Sequence, residues 1–417
     1  MGTAPRPLAL RAARILTGDG EPARPDAVVL VRGGAIEAVC AATDPLPDDT
    51  VVLDLGDATL LPGFVDAHAH LTLPADRRGY EAVHELPDPD LLAFGRANAE
   101  RHLRCGVTTV RDNGARGTLG VRLRDLLAGA PAAPRVLAAG RPLTPPGGHF
   151  HFCGGTAGTP AEIRDAVHRL ADEGVDHIKI IASGGGTAGS RPEECTYSGE
   201  HLRAAVGAAR ARGLRTAAHC RAAESARQAV AAGVDCLEHL DFLRPVAGGD
   251  PTVEYDAETV RMIRDAGTYL SMTMQAGGYD TLLDQRGRPD PDERVVARLE
   301  RYFRDKLGVL RRLLDDGLGE RIVISTDAGP ADTRFGRFHL GLALAAEAGY
   351  PAADVLRAAT TRAAEVCGLG ASTGRITPGH AADLVAVGGD VLADVARAAD
   401  VRLVLARGTV VGTGIPA

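Results

Sequence analysis

Between residues 62 and 375 the chain repeats one pattern: a short apolar run, then a longer amphipathic stretch. The apolar runs are 63–67, 107–111, 135–139, 177–181, 215–218, 236–238, 269–272 and 321–325. Helical periodicity fits 90–104, 160–173, 198–212, 222–232, 256–265, 292–316 and 352–367. Runs this apolar are expected where a parallel strand is covered on both faces. Eight such units predict a (β/α)8 TIM-like barrel, a fold of typically about 250 residues. The competing doubly wound sheet lacks support, because no glycine-rich phosphate fingerprint follows the first strong strand.

The two ends read differently. Runs 8–16, 27–31, 35–39 and 51–55, and later 383–387, 401–406 and 409–411, are strand candidates between Gly-, Pro- and Asp-rich turns. The expected division is therefore a composite small β-sandwich from 1–61 and 376–417, beside a barrel from 62–375.

Polar residues interrupt the apolar runs at recurring places. Gly63-Phe-Val-Asp-Ala-His68-Ala-His70 ends the first run, and residues i and i+2 of a strand share a side, so both imidazoles can approach one ion, with Asp66 on that side too. Lys179 lies inside the apolar His177-Ile-Lys-Ile-Ile run, where an unpaired lysine is costly. His219 ends Thr216-Ala-Ala-His, His239 ends Cys236-Leu-Glu-His, and Asp327 ends Ile322-Val-Ile-Ser-Thr-Asp. Each alone is more economically a structural residue. Together they occupy five strand ends, and this barrel gathers its active residues at the C-terminal ends of its strands.

A formal net charge of −7 argues against nucleic acid as a partner. No run reaches the roughly 18–20 apolar residues of a membrane span, and the N-terminus lacks a signal-type apolar core. Seven widely spaced cysteines predict reduced thiols and a cytoplasmic setting.

These motifs resemble the binuclear class of the amidohydrolase superfamily, from Pro62-Gly-Phe-Val-Asp-Ala-His-Ala-His70 to Gly379-His-Ala-Ala-Asp-Leu-Val385. The resemblance implies two divalent metal ions, with zinc the default. It implies His68, His70 and Asp327 at the more buried ion, His219 and His239 at the second, and a carboxylated Lys179 bridging them. A metal-bridging hydroxide would attack a C–N amide bond, with Asp327 carrying the proton to the leaving nitrogen. A noncatalytic binding barrel would not need this full ligand set. Self-association is compatible with the fold.

Two segments narrow the resemblance to the Xaa-Pro dipeptidase and imidazolonepropionase-related branch: Gly140-Arg-Pro-Leu-Thr-Pro-Pro-Gly-Gly-His149-Phe-His151, and the Lys179 run. The implied substrate is a small amide or short peptide, such as an Xaa-Pro dipeptide or an N-acyl amino acid. The alternative is a cyclic amide, a carbamate or another small non-peptide amide. His149 and His151 are candidates for contact with the scissile carbonyl or a substrate carboxylate, or for bonds to loop backbone. Arg111 is a candidate substrate contact or a salt-bridged barrel residue, Tyr197 a candidate cap on the pocket or an ordinary loop tyrosine, and Arg337 a candidate carboxylate contact or a surface residue. After Asp327 the chain departs from the branch: Arg334-Phe-Gly-Arg-Phe-His339 stands where a His-Gly pair is expected, and no glutamate follows at the usual place. Loops 73–89 and 275–291 are candidate lids.

Overall fold

In the computed structural model, which describes residues 6–130 and 132–413, the central runs form eight parallel strands. They are β1 Phe64–Ala69, β2 Val107–Asp112, β3 Arg135–Ala138, β4 His177–Ile181, β5 Arg215–Ala222, β6 Cys236–Arg244, β7 Tyr269–Thr273 and β8 Ile322–Ser325. β1–β2–β3 form one ladder and β4–β5–β6–β7–β8 another.

Two seams close the ring. Past β3, the Leu143 N–H donates to the Lys179 carbonyl and the Ile181 N–H donates to the Leu143 carbonyl, both at 2.8 Å. Past β8, the Asp327 N–H donates to the His68 carbonyl and the His70 N–H to the Ala328 carbonyl, again at 2.8 Å. Three of the four residues in the second seam, His68, His70 and Asp327, are expected to bind metal. The bonds that close the barrel there also bring these three residues together.

The helices deviate from the expected set where amphipathic rhythm fails. Leu119–Ala128 was not anticipated, nor was Phe338–Glu347, which reads FHLGLALAAE and is apolar almost all round. The stretch 352–367 divides into Ala352–Ala358 and Thr361–Val366. At the break the Thr360 hydroxyl donates back to the Leu356 carbonyl at 2.7 Å, competing with helix continuation. The loop 275–291 contains a helix, Tyr279–Arg286.

The termini build the small β-sandwich. One sheet runs Ala35–Ala41, Ala27–Arg32, Leu8–Ala12, Val51–Asp54; the other runs Thr409–Thr413, Val401–Ala406, Leu384–Gly388, Ala58–Pro62, Arg14–Ile15. Ala58–Pro62 was not expected as a strand, and it pairs antiparallel with Leu384–Gly388. Residues 1–5 and 414–417 of the expected β-domain lie outside the described residues.

Leu384–Gly388 serves two cores, because alternate side chains of a strand face opposite ways. Leu384 and Ala386 pack between the sheets with Leu10, Val29 and Leu403. Val385 and Val387 pack into the barrel core with Phe64. Gly106 permits this approach: a Cβ there would stand 2.7 Å from Val385 Cγ2, and its φ of +91° already favours glycine. Among the described residues no helix is long and apolar enough to cross a membrane, and all seven cysteines are free.

Phe64 joins these parts. It is 1% exposed and its ring lies 5.4 Å from that of Phe338. Phe64→Ala should lower the unfolding free energy by about 3–5 kcal/mol, read from a reduced urea midpoint at unchanged slope.

Candidate metal centre and active-site cavity

A cavity of about 360 Å³ opens at the C-terminal ends of the barrel strands, lined by His68, His70, Lys179, His219, His239 and Asp327 among others. Within it, donor atoms of His68, His70 and Asp327 all lie within 4.8 Å of one another. His68 Nε2 stands 3.2 Å and His70 Nε2 3.5 Å from Asp327 Oδ1.

Three of the four imidazoles are fixed through one nitrogen. His70 Nδ1 bonds the Gly114 carbonyl at 3.2 Å, His239 Nδ1 bonds Thr273 Oγ1 at 2.8 Å, and His219 Nε2 bonds the Gly184 carbonyl at 2.9 Å. That leaves the other nitrogen as the donor, which is the usual arrangement around a ligating histidine. Indeed His239 Nε2 is buried without a hydrogen-bond partner. Burial, aided by neighbouring cations, holds His68, His219 and His239 well below the usual histidine range and His70 at about 4. All four are therefore neutral at pH 7, the form that binds metal.

Burial also depresses the Lys179 amine to about 7, against the pull of Asp327, and raises the Asp327 carboxyl above its ordinary range. Asp327 keeps 16% of its side-chain surface open to the cavity. Two of these residues adopt left-handed backbone, His239 at φ 69° and Asp327 at φ 55°. Such conformations cost on the order of 1–3 kcal/mol each and persist where surrounding structure imposes them. Gly329 must stay small, since a Cβ there would lie 2.4 Å from the His70 carbonyl oxygen.

A second layer beneath the histidines was not anticipated. Glu238, fully buried, touches Lys179 Nζ and stands 3.4 Å from His68 Nδ1. It accepts from Asn113 Nδ2 at 2.6 Å and from Arg111 at 3.3 Å. Asn113 in turn bonds His177 Nε2 at 2.8 Å. The signal for Glu238 was present: Arg111 sits in an apolar strand and requires a buried carboxylate.

Asp66 does not line the cavity, although the His68 N–H donates to it at 3.2 Å. Its carboxylate accepts from the Thr326 backbone at 3.1 Å, from Thr326 Oγ1 at 2.5 Å and from His102 Nε2 at 3.0 Å.

Of the expected substrate contacts, His149 lines the cavity, with Nδ1 bonded to Thr187 Oγ1 at 2.7 Å. Four others are placed elsewhere. Arg111 is buried in the barrel interior, where Nε donates to the Ala67 carbonyl at 2.7 Å. His151 Nδ1 turns to the Gly148 carbonyl at 3.0 Å, the loop-backbone alternative. The Tyr197 hydroxyl donates to the Ala157 carbonyl at 2.7 Å, and Arg337 pairs with Asp280 at 2.6 Å. In each case a nearby acceptor in the fold takes the donor. The cavity instead receives Arg221, Arg298, Tyr302 and Lys306, none of them expected.

Residues 59–411 match the model of the amidohydrolase family. The chain belongs to the amidohydrolase family. A solved Xaa-Pro dipeptidase with bound methionine in its active site superposes with a TM-score of 0.83 at 25% identity, covering 98% of this chain and 100% of that one. A provisionally named prolidase from Bifidobacterium longum is 30% identical, with a TM-score of 0.79 and coverage of 100% and 97%. An uncharacterized protein of Mycobacterium bovis is 27% identical over 257 residues, a match spanning 59% of this chain and 59% of that relative's length. This amidohydrolase is thus a metal-dependent hydrolase of C–N bonds, related to the Xaa-Pro dipeptidase and prolidase branch.

His102 gives the amidohydrolase a pH signature outside the cavity. Burial alone would discharge it, but the bond to Asp66 prevails and lifts its pKa to about 9. Its folded pKa exceeds the unfolded value of about 6.5, so its contribution is complete below pH 6.5 and lost as pH rises through 9. In urea titrations the stability advantage of the wild type over His102→Gln should shrink by about 3 kcal/mol between pH 6 and pH 10.

Proposed function

We propose that the cavity holds two divalent metal ions, with zinc as the default. His68, His70 and Asp327 would hold one, His219 and His239 the other, and a carboxylated Lys179 would link them. The donor chemistry supports this: four neutral imidazoles, each bar His68 anchored through its far nitrogen, surround one carboxylate and one buried amine. The unpartnered Nε2 of His239 supports the second ion in particular. Ions bound there supply Lewis acidity toward the amide carbonyl and toward an attacking water.

The protein's own groups do the rest. Asp327 takes the proton of the attacking water and delivers it to the departing nitrogen, which is otherwise a poor leaving group. His149, oriented by Thr187, is suited to polarise the carbonyl from the cavity wall. A volume of about 360 Å³ suits a dipeptide-sized amide. The reaction we infer is hydrolysis of an Xaa-Pro dipeptide or an N-acyl amino acid, with the seven free thiols supporting a reducing cytoplasmic setting. The observation that carries this reading is the His68–His70–Asp327 cluster inside the cavity.

A metal-loaded activity screen against Xaa-Pro dipeptides, N-acyl amino acids, cyclic amides and carbamates tests it. Turnover should fall in the first two classes, and Asp327→Asn and Lys179→Ala should each lower kcat/KM by at least about a hundredfold. Undiminished turnover in both variants would sink the mechanism; turnover confined to cyclic amides or carbamates would reassign the substrate.

Thr273→Val tests the second ion. Removing the bond to His239 Nδ1 should weaken one of two metal-binding steps by about ten- to a hundredfold, with the other unchanged in a chelator competition titration.

A further inference from the structure

One wall of the cavity comes from a single helix face. Arg298, Tyr302 and Lys306 recur every fourth residue along Glu293–Asp315, and all three line the cavity. Lys306 is only 5% exposed, and its Nζ donates to the Thr273 carbonyl at 2.5 Å and the Ala276 carbonyl at 3.1 Å. An ammonium has three N–H donors, so one remains. Among the described residues no carboxylate pairs with it within salt-bridge distance. Arg298, exposed at the other end of the face, likewise has no such partner among them.

The adjacent Arg221 differs, because Asp241 neutralises it at 2.5 Å. A second Arg221 nitrogen donates to the Tyr302 hydroxyl at 3.3 Å, which leaves the phenolic O–H to donate elsewhere. The wall therefore offers an ammonium N–H, a phenol O–H and, about 12 Å along the helix, a guanidinium. Lys306 acts on Asp241 and Asp327 only from beyond pairing distance and lies over the Tyr302 ring, and a buried cation with no carboxylate in contact gains from an anionic ligand.

We propose that this helix face recognises a carboxylate of the substrate, with Lys306 and Tyr302 gripping it and Arg298 drawing it in from the rim. The proposal rests on the reading that the cavity takes a small amide, and it makes that amide an anion. It also competes with a plainer role for Lys306, as a strut for the turn at Thr273–Ala276.

L-Proline and L-leucine, compared with L-prolinol and L-leucinol, separate the two roles. Each pair differs in a carboxylate against a hydroxymethyl group, and none contains an amide to cleave. Calorimetric titration of the metal-loaded full chain should show the amino acids binding at least about tenfold tighter than the alcohols. Lys306→Met should collapse that ratio to about twofold or less, whereas Lys306→Arg, which keeps the charge, should retain most of it. Arg298→Glu, at an exposed position, should weaken the amino acids about three- to fivefold and leave the alcohols unchanged. A ratio near one in the wild type overturns the proposal, as does a ratio that survives Lys306→Met, which would place the carboxylate on the metals. If Lys306→Met does not fold, amino-acid binding unaffected by Arg298→Glu overturns it. Because the probes are not substrates, these results stand whatever the activity screen returns.

Discussion

The site depends on one buried carboxylate. Glu238 stands between Arg111 and Lys179, touches the latter and accepts from the former and from Asn113. Arg111 and Glu238 have both lost their water, and removing one partner of such a pair typically costs about 3–5 kcal/mol. The layer also reaches upward. Arg111 donates to the carbonyl of Ala67, next to His68, and Glu238 lies beside His68 Nδ1. The backbone beside His68 is thus held from below.

A second set of bonds holds the opposite side of the ring. Asp66 collects Thr326 and His102, so strand β1, the residue before Asp327 and the helix Asp88–Arg104 meet at one carboxylate. Given this scaffold, Asp327 and His239 can sit in left-handed backbone that isolated residues avoid. A flexible site would relax those torsions. Here the hydrogen bonds of the seam, Asp327 to His68 and His70 to Ala328, oppose the relaxation.

All eight barrel strands were legible because burial on both faces demands continuous apolarity, and a His, Lys or Asp within such a run stands out. Boundaries were less so: β5 and β6 run on to Ala222 and Arg244, past the polar residues that seemed to end them. The helix Phe338–Glu347 escaped notice for the converse reason, since a segment packed on most sides has no polar face to set a rhythm. Long polar side chains were the hardest to place. Arg111, Tyr197 and Arg337 each found an acceptor inside the fold, and sequence spacing carries no information about which acceptor is nearest in space. The cavity wall was obscured differently. Arg298, Tyr302 and Lys306 have the four-residue spacing of one helix face, but their helix carries so many other charges that this face is not distinctive.

The strand Leu384–Gly388 is shared between the sandwich and the barrel, and it pairs with Ala58–Pro62 from the other end of the chain. During synthesis the early strands leave the ribosome long before this partner exists. Until then Ala58–Pro62 lacks its neighbour, and the barrel face that Val385 and Val387 will cover stays wet. Vectorial folding therefore cannot finish either core on its own, and the nascent chain carries an open sheet edge for most of its elongation. This late strand acts as a latch, and its arrival commits both units together.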